Sequence, residues 1–228
     1  MDYILNIHTT TETAIVNISN GENVIATLLN NDSKQHATFL HSAIKKILQE
    51  NDINISALKA IAVTNGPGSY TGIRVGLATA KGLAFSLKIP LICLNTLEVL
   101  AHSAIKNVQD KNALYCPMID ARRMEVFTAV YTSGLRTVNP SSALVLEENS
   151  YADLPPDQTI YFFGSGSKKF ENIAAGHNNR RFIQQEISSK SMSALSREKY
   201  EEKMFENVAF AHPLYLKEFY THSKELKK

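Results

Sequence analysis

The chain has 228 residues, of which 44% are hydrophobic and 20% charged, and its formal net charge is +2. This length and composition suit a protein that buries its own core, and the near-balance of charges excludes a strongly basic nucleic-acid or membrane-surface binder. Two cysteines exclude a disulfide framework, no apolar run reaches the about 18 residues of a membrane span, and the start of the chain lacks the basic region of a signal peptide. We expect a soluble, cytoplasmic protein with no membrane partner.

The first part of the chain predicts strands and helices in the order βββαβαβα, which is typical of an α/β protein with a mixed sheet. Asn20-Gly21, between the second and third β-rich runs, indicates a tight hairpin. Asn95 is placed to cap a helix, with Glu98 three residues further on. The predicted strands are 3–8, 13–19, 23–29, 60–64 and 91–94, and the predicted helices are 36–50, 71–87 and 96–107.

The second part begins as the first part does, which indicates an internal repeat. YCPMIDARRMEVFTAVY can be laid over YILNIHTTTETAIVNIS, and Asp120 then takes the place of His8. We therefore predict two related halves, residues 1–108 and 109–228. The segments 132–158 and 176–190 have too little periodicity for a prediction. The remaining predicted elements are strands at 113–119 and 125–131, a strand, turn and helix start within 159–170, a helix at 191–205 and a closing strand at 213–219.

A glycine-rich loop, NGPGSYTG at 65–72, joins a predicted buried strand to a predicted helix. Such a loop can bind an anion, because backbone N–H groups and the helix dipole favour negative charge there. Its spacing departs from the Walker, dinucleotide-binding and nucleophile-elbow patterns. The alternative is a structural turn, in which Gly66 and Gly68 permit unusual backbone angles and Ser69 or Thr71 caps the helix. Both alternatives remain open.

The helix after this loop has a row of small residues on one face, since glycine or alanine recurs every four residues from 72 to 84. An interior glycine costs a helix about 1 kcal/mol relative to alanine. A small-residue row lets another backbone come close, either within the protein's own core or in a partner. With two residues from the helix at 36–50, the candidate partner-contacting residues are Gly72, Ile73, Gly76, Leu77, Ala80, Ala84, Leu40 and Ile44.

The seven histidines do not form a pattern typical of a metal site. His36 and His41 are five residues apart and so do not share a helix face, and neither HExxH nor HxxxH occurs. His8 follows a strand where a magnesium-organising aspartate would be natural, and imidazole is a poor ligand for that hard cation. Asp120 would be a suitable ligand for such a cation, although an ion pair with Arg122 or Arg123 is an equally good interpretation. We predict no metal site and no catalytic residue.

Three blocks of the sequence resemble the TsaB (YeaZ) family of the M22 glycoprotease-like superfamily. GPGSYTGIRVGLATAKGLA, followed by IPLICLNTLEVLA, resembles the family's signature, and PMIDARRMEVFTAVY resembles its Asp-Ala-Arg-Arg segment. HPLYLK resembles the family's closing Pro-x-Tyr-Leu-Arg, with Lys217 in place of arginine. The opening ILNIHTTTETAIV also fits, except that His8 replaces the usual aspartate. The likeness is strong over 1–131 and looser beyond.

The resemblance implies an actin-like ATPase fold, an α/β class with two ribonuclease-H-like halves whose mixed sheets are flanked by helices. It also implies a role in making N6-threonylcarbamoyladenosine at adenosine 37 of tRNAs that read ANN codons. In that family TsaB is the non-catalytic partner of a catalytic paralogue, TsaD, and an ATPase, TsaE, completes the complex. The expected partners are therefore a TsaD-like subunit, a TsaE-like ATPase, tRNA through the complex, and a second copy when the chain is alone.

Two other functions remain open from the residues. The chain could be an actin-like-fold ATPase or kinase that uses the glycine-rich loop or, with least support, a metallopeptidase. Weak binding of ATP or ADP with Mg²⁺ in the complex is compatible with the loop, and His8 predicts that such a site is weakened. The residues of this vestigial nucleotide or anion site would be Gly66, Gly68, Ser69, Thr71 and Asp120.

Overall fold

Two five-stranded mixed sheets form the centre of the described part of the chain. The structure, a computed structural model, describes residues 2–21, 23–32, 35–174 and 178–217. The first sheet contains β1 Tyr3–His8, β2 Ala14–Asn20, β3 Asn23–Asn30, β4 Leu58–Gly66 and β5 Leu91–Asn95. The second sheet contains β6 Leu114–Asp120, β7 Glu125–Thr132, β8 Thr137–Val145, β9 Ile160–Phe163 and β10 Arg180–Phe182.

The two sheets have the same topology. The strand order is β3-β2-β1-β4-β5 in the first sheet and β10-β9-β6-β7-β8 in the second. In each sheet the central strand, β1 or β6, is antiparallel to the strand that follows it and parallel to the fourth strand of its set. The internal repeat is therefore confirmed. His8 and Asp120 are equivalent, because each is the last residue of a central strand.

Within the part of the chain that the structure describes, five α-helices cover the sheets. They are α1 His36–Glu50, α2 Tyr70–Leu87, α3 Thr96–Val108, α4 Ser167–Glu171 and α5 Ser189–Glu201. The helices α1 and α2 share one apolar cluster with the first sheet, and α3 and α5 contact each other on its other face. In the described ranges no helix is both long enough and apolar enough to cross a membrane.

The layer formed by α3 and α5 joins the two sheets. Side chains of α3 cluster with those of the second sheet, while Met192 and Leu195 of α5 cluster with Ile4 and Ile15 of the first sheet. A helix late in the chain thus completes the core of the early sheet. The division into halves at 108 and 109 stays a prediction.

Side-chain caps explain where three helices begin. Asn95 Oδ1 accepts a hydrogen bond from Leu97 N at 2.8 Å, which confirms the predicted cap of α3. Ser69 Oγ accepts from Gly72 N at 3.3 Å, so Ser69 rather than Thr71 caps α2. Ser188 caps α5 in the same way. Each cap satisfies a backbone N–H that has no acceptor within the first turn.

The structure differs from the sequence prediction at three places. Strands β8 and β10 lie in the two segments that had no prediction. The predicted closing strand is wrong for residues 213–217, which form no strand; 218 and 219 lie outside the described residues. Pro213 has no N–H to donate to a ladder, and the segment is held instead by one backbone hydrogen bond, from Leu214 N to Asn65 O at 2.7 Å.

Candidate functional site

The glycine-rich loop packs tightly against the turn that follows β1. Gly66 and Gly68 have φ angles of +124° and +148°, which only glycine adopts without strain. A Cβ atom at Gly68 would collide with the carbonyl oxygen of Thr10, and one at Gly72 would collide with that of Thr9. These glycines are therefore required for the close approach of two backbone segments.

Several of the loop's hydrogen-bonding groups are used within the chain. Ser69 N donates to Thr10 O at 2.8 Å, and Gly72 N donates to the side chain of Ser69. Thr9 Oγ1 donates to Gly72 O at 2.7 Å. An anion would need backbone N–H groups of this kind. Of the two alternatives for the loop, these contacts favour the structural turn.

His8 lies fully buried among threonine side chains at the end of β1. Its Nδ1 is 3.0 Å from Thr64 Oγ1, and its Nε2 is 2.8 Å from Thr11 Oγ1. Thr10 Oγ1 extends the network to Thr96 Oγ1 at 3.0 Å. Burial, and to a lesser degree the charge of His36, lowers the pKa of His8 to about 3. The imidazole is neutral at physiological pH, with one ring nitrogen donating and the other accepting.

Asp120, the equivalent of His8 in the second half, is engaged with neighbouring groups. Its Oδ1 accepts a hydrogen bond from the Arg122 backbone N–H at 2.6 Å and contacts Lys169 Nζ at 2.7 Å. The cation that pairs with Asp120 is therefore Lys169 and not one of the two adjacent arginines. The sequence could not show this pairing, because Lys169 is distant along the chain.

The small-residue face of α2 lies inside the protein. Gly72, Gly76, Ala80 and Ala84 are buried, and a Cβ at Gly76 would collide with Thr9 Oγ1. Ile73 and Leu77 on α2 and Leu40 on α1 are also buried in the chain's own core. Of the two alternatives for this face, packing in the protein's own core or against a partner, the structure shows the first. All eight candidate partner-contacting residues are therefore buried; Ile44 also lines a groove between α1 and α2, and Ile73 lines a smaller cavity at the start of α2.

A groove of about 1210 Å³ runs between α1 and α2. Ile44 and Leu48 line it from α1, and Ala78, Gly82 and Leu83 line it from α2. Gly82 is exposed in the interior of its helix, and apart from the helix's own backbone no atom of the described chain lies within 4 Å of the position a Cβ would take. Nothing in the described chain therefore requires a glycine at this position.

The three sequence blocks that resemble the family meet at a smaller cavity of about 600 Å³. The Tyr70 ring at the start of α2 lies 5.4 Å from the Tyr215 ring, and Lys217 pairs with Glu125 at the start of β7. Arg122 and Arg123 also line this cavity. The sequence did not predict that the three blocks meet in space. The HPLYLK block could have indicated it, because its Leu214, Tyr215 and Lys217 line the cavity.

The architecture defines the class of protein. Two mixed sheets of identical topology, flanked by helices, form the actin-like ATPase fold. The ethanolamine utilization protein EutJ from Carboxydothermus hydrogenoformans has this architecture with a TM-score of 0.51, 8% identity, and coverage of 85% of this chain and 90% of that chain. The solved structure of YeaZ from Pseudomonas aeruginosa is more similar, with a TM-score of 0.82, 23% identity, and coverage of 95% of this chain and 100% of that chain.

Sequence comparison identifies the family. A model described as "TsaD: tRNA N6-adenosine threonylcarbamoyltransferase" matches residues 24–173. The tRNA threonylcarbamoyladenosine biosynthesis protein TsaB of Bacillus subtilis is 32% identical over 193 residues, which cover 78% of this chain and 82% of that protein. The TsaB of Buchnera aphidicola from Acyrthosiphon pisum is 30% identical over 135 residues, 59% of this chain and 60% of that protein. The chain belongs to the TsaB (YeaZ) family.

Proposed function

We propose that this chain is a non-catalytic scaffold subunit in the synthesis of N6-threonylcarbamoyladenosine in tRNA. Its Bacillus subtilis relative bears the name of that biosynthesis, and the matching family model is named for the transferase TsaD. In this proposal a TsaD-like subunit carries out the transfer, a TsaE-like ATPase completes the complex, and tRNA is bound through the complex. Family membership supports the pathway, and the surface of the chain supports the scaffold role.

The groups nearest the glycine-rich loop support a structural rather than a catalytic role. His8 is neutral and held on both ring nitrogens, Ser69 N donates to Thr10 O in the turn after β1, and Gly72 N donates to Ser69 Oγ within the loop. The same packing explains why the loop and the turn need glycine and threonine. These residues stabilise α2 in its position on the first sheet.

The groove between α1 and α2 is the surface to which we assign the partner. Exposed Gly82 is the observation that carries this assignment, because a mid-helix glycine costs about 1 kcal/mol and the described chain makes no use of it. A helix from a partner could approach α2 closely over Gly82 and Ala78. Phe85, one turn further along, is 77% exposed and would be covered by the same contact. A few well-buried side chains near the centre of such a contact supply most of its binding free energy.

Co-purification with a tagged TsaD-like subunit tests this assignment. Ala78→Arg places a long charged side chain in the groove, and we expect at least a tenfold loss of recovered complex. Ala37→Arg is the matched control, because Ala37 is an exposed alanine of α1 outside the groove. Equal recovery of both variants would contradict the groove assignment.

The same variants test self-association. If two copies pair through the groove when the chain is alone, sedimentation of Ala78→Arg gives a monomer while Ala37→Arg keeps the wild-type mass. Both variants change an exposed position and add one positive charge, so folding and net charge are matched. A dimer that survives in both variants would place self-association on another surface.

A further inference from the structure

A separate cavity of about 730 Å³ lies between the two sheets. It is lined by the turn after β1, by the loop after β9 and by the segment that follows β10. Small ligands bind preferentially in clefts of this size where two units of a fold meet. The actin-like ATPase fold implies a nucleotide with magnesium, which requires carboxylate ligands for the metal ion and a lining that does not repel phosphate.

The strand ends at the cleft do not fit the metal ion, and among the described residues no three His, Cys, Asp or Glu side chains, the cleft's glutamates included, lie close enough together to hold one. Magnesium is bound through one or two carboxylates together with phosphate and water oxygens. At the end of β1 the cleft has His8, a neutral imidazole whose ring nitrogens are both engaged with threonine hydroxyls. The equivalent carboxylate, Asp120, is already engaged with Lys169 and with the backbone N–H of Arg122.

The charge of the cleft also disfavours phosphate. The ionised lining residues are Glu12, Glu171, Glu186 and Lys168, which gives three negative charges, one positive charge and a net charge of −2. Lys168 is paired with Glu171 at 2.7 Å, so Glu12 and Glu186 set the sign of the potential. A cleft lined by one sign of charge repels ligands of that sign and concentrates ligands of the opposite sign.

The walls nevertheless have the composition of a ligand site. Ile15, Leu100 and Ile119 provide apolar surface, and Thr11 and Ser167 provide hydroxyl groups. Apolar walls with a few polar groups are typical of pockets that bind small organic molecules. We propose that this cleft is not a nucleotide site and that it binds a phosphate-free organic ligand of about nucleoside size, neutral or cationic.

Protein-observed NMR of the full chain tests the proposal with a matched pair of probes. Adenosine and MgATP share a base and a sugar and differ in the triphosphate. We expect 5 mM adenosine to shift resonances of cleft residues at least threefold more than 5 mM MgATP does. In a fragment set with equal numbers of neutral, cationic and anionic members, only the neutral and cationic fragments should shift the resonances of cleft residues. Stronger shifts with MgATP, preferential contacts from anionic fragments, or no cleft shift with any probe would each overturn the proposal.

Reversing the charge of two glutamates that line the cleft tests whether the negative charge of the cleft causes it to disfavour phosphate. The double variant Glu12→Lys with Glu186→Lys changes the net charge of the lining from −2 to +2, so ATP should then shift cleft resonances. The double variant Glu148→Lys with Glu202→Lys is the matched control, since these are exposed glutamates outside the cleft. An equal ATP response in both variants would show that the overall charge and not the cleft sets the preference. The variants Ala78→Arg and Ala37→Arg leave this cleft unchanged. The proposal for the groove and the proposal for the cleft can therefore fail independently of each other.

Discussion

His8 Nδ1 lies 3.0 Å from Thr64 Oγ1, which joins the ends of β1 and β4 through a fully buried hydrogen bond. A carboxylate at position 8 would bring a charge into this buried network, whereas the neutral imidazole satisfies its neighbours without one. A histidine at this position is therefore accommodated by threonines on three separate segments, the turn after β1, β4 and α3.

The buried His8 makes stability depend on pH. Its pKa is about 3 in the folded chain and 6.5 in the reference state, so the unfolded chain takes up the proton first as the pH falls. This contribution is fully present above pH 6.5 and is lost progressively towards pH 3. Between pH 7 and pH 5 it amounts to about 2 kcal/mol.

Urea unfolding at the two pH values measures this loss. His8→Gln removes the titrating group and should lose about 2 kcal/mol less than the wild type between pH 7 and pH 5. His102, whose pKa is lowered by burial to about 4, is present in both proteins and cancels in the comparison. An identical loss in both proteins would contradict the neutral, buried state of His8.

Two glycines on α2 should respond oppositely to alanine. Gly72→Ala forces a Cβ onto the Thr9 carbonyl oxygen, and such overpacking costs about 1–3 kcal/mol. Gly82→Ala meets open space and should stabilise the isolated chain by about 1 kcal/mol through helix propensity. Thermal unfolding of both variants checks the difference in sign. A stabilised Gly72→Ala would contradict the packing of the loop.

The contribution of the Asn95 capping oxygen to stability should be measurable separately from that of the side-chain NH₂ group. Asn95→Ala removes the acceptor for the first turn of α3 and should cost about 1 kcal/mol in the free energy of unfolding. Asn95→Asp retains the capping oxygen and is the control, although it loses the hydrogen bond from Nδ2 to Ser141 Oγ. Equal losses in urea unfolding would mean that the contact with Ser141 matters more than the cap.

The two thiols should be unreactive in the folded chain. Burial raises the pKa of both Cys93 and Cys116 to about 12, so very little thiolate is present at pH 8. A colorimetric disulfide reagent should react slowly with the native chain and rapidly with two thiols in 8 M urea. Fast reaction of either thiol under native conditions would place it nearer the surface than the structure does.

Local patterns identified most of the elements. The strand and helix order of the first part, the Asn95 cap and the repeat with Asp120 in the place of His8 all followed from periodicity and turn chemistry. Strand β8, TVNPSSALV, was missed because a proline and two serines hide its alternation, and β10 has only three residues. Their strand conformation depends on neighbours in the sheet.

The site was harder to predict because it depends on tertiary contacts. The same small-residue row on α2 is compatible with a core and with an interface, and only the position of Thr9 shows that it faces inward. Gly82, which lies off that row, marks the exposed side of the helix. The network around His8 joins Thr11, Thr64 and Thr96, residues that no local pattern connects.

The central claim is that this chain supports tRNA modification by presenting the groove between α1 and α2 to its partner. The most direct measurement is nucleoside analysis of tRNA from cells depleted of the wild-type chain and supplied with either Ala78→Arg or Ala37→Arg. The account predicts that N6-threonylcarbamoyladenosine falls at least tenfold with Ala78→Arg and stays at the wild-type level with Ala37→Arg. Equal levels of N6-threonylcarbamoyladenosine with the two variants, or an unchanged level in depleted cells supplied with neither, would contradict the claim.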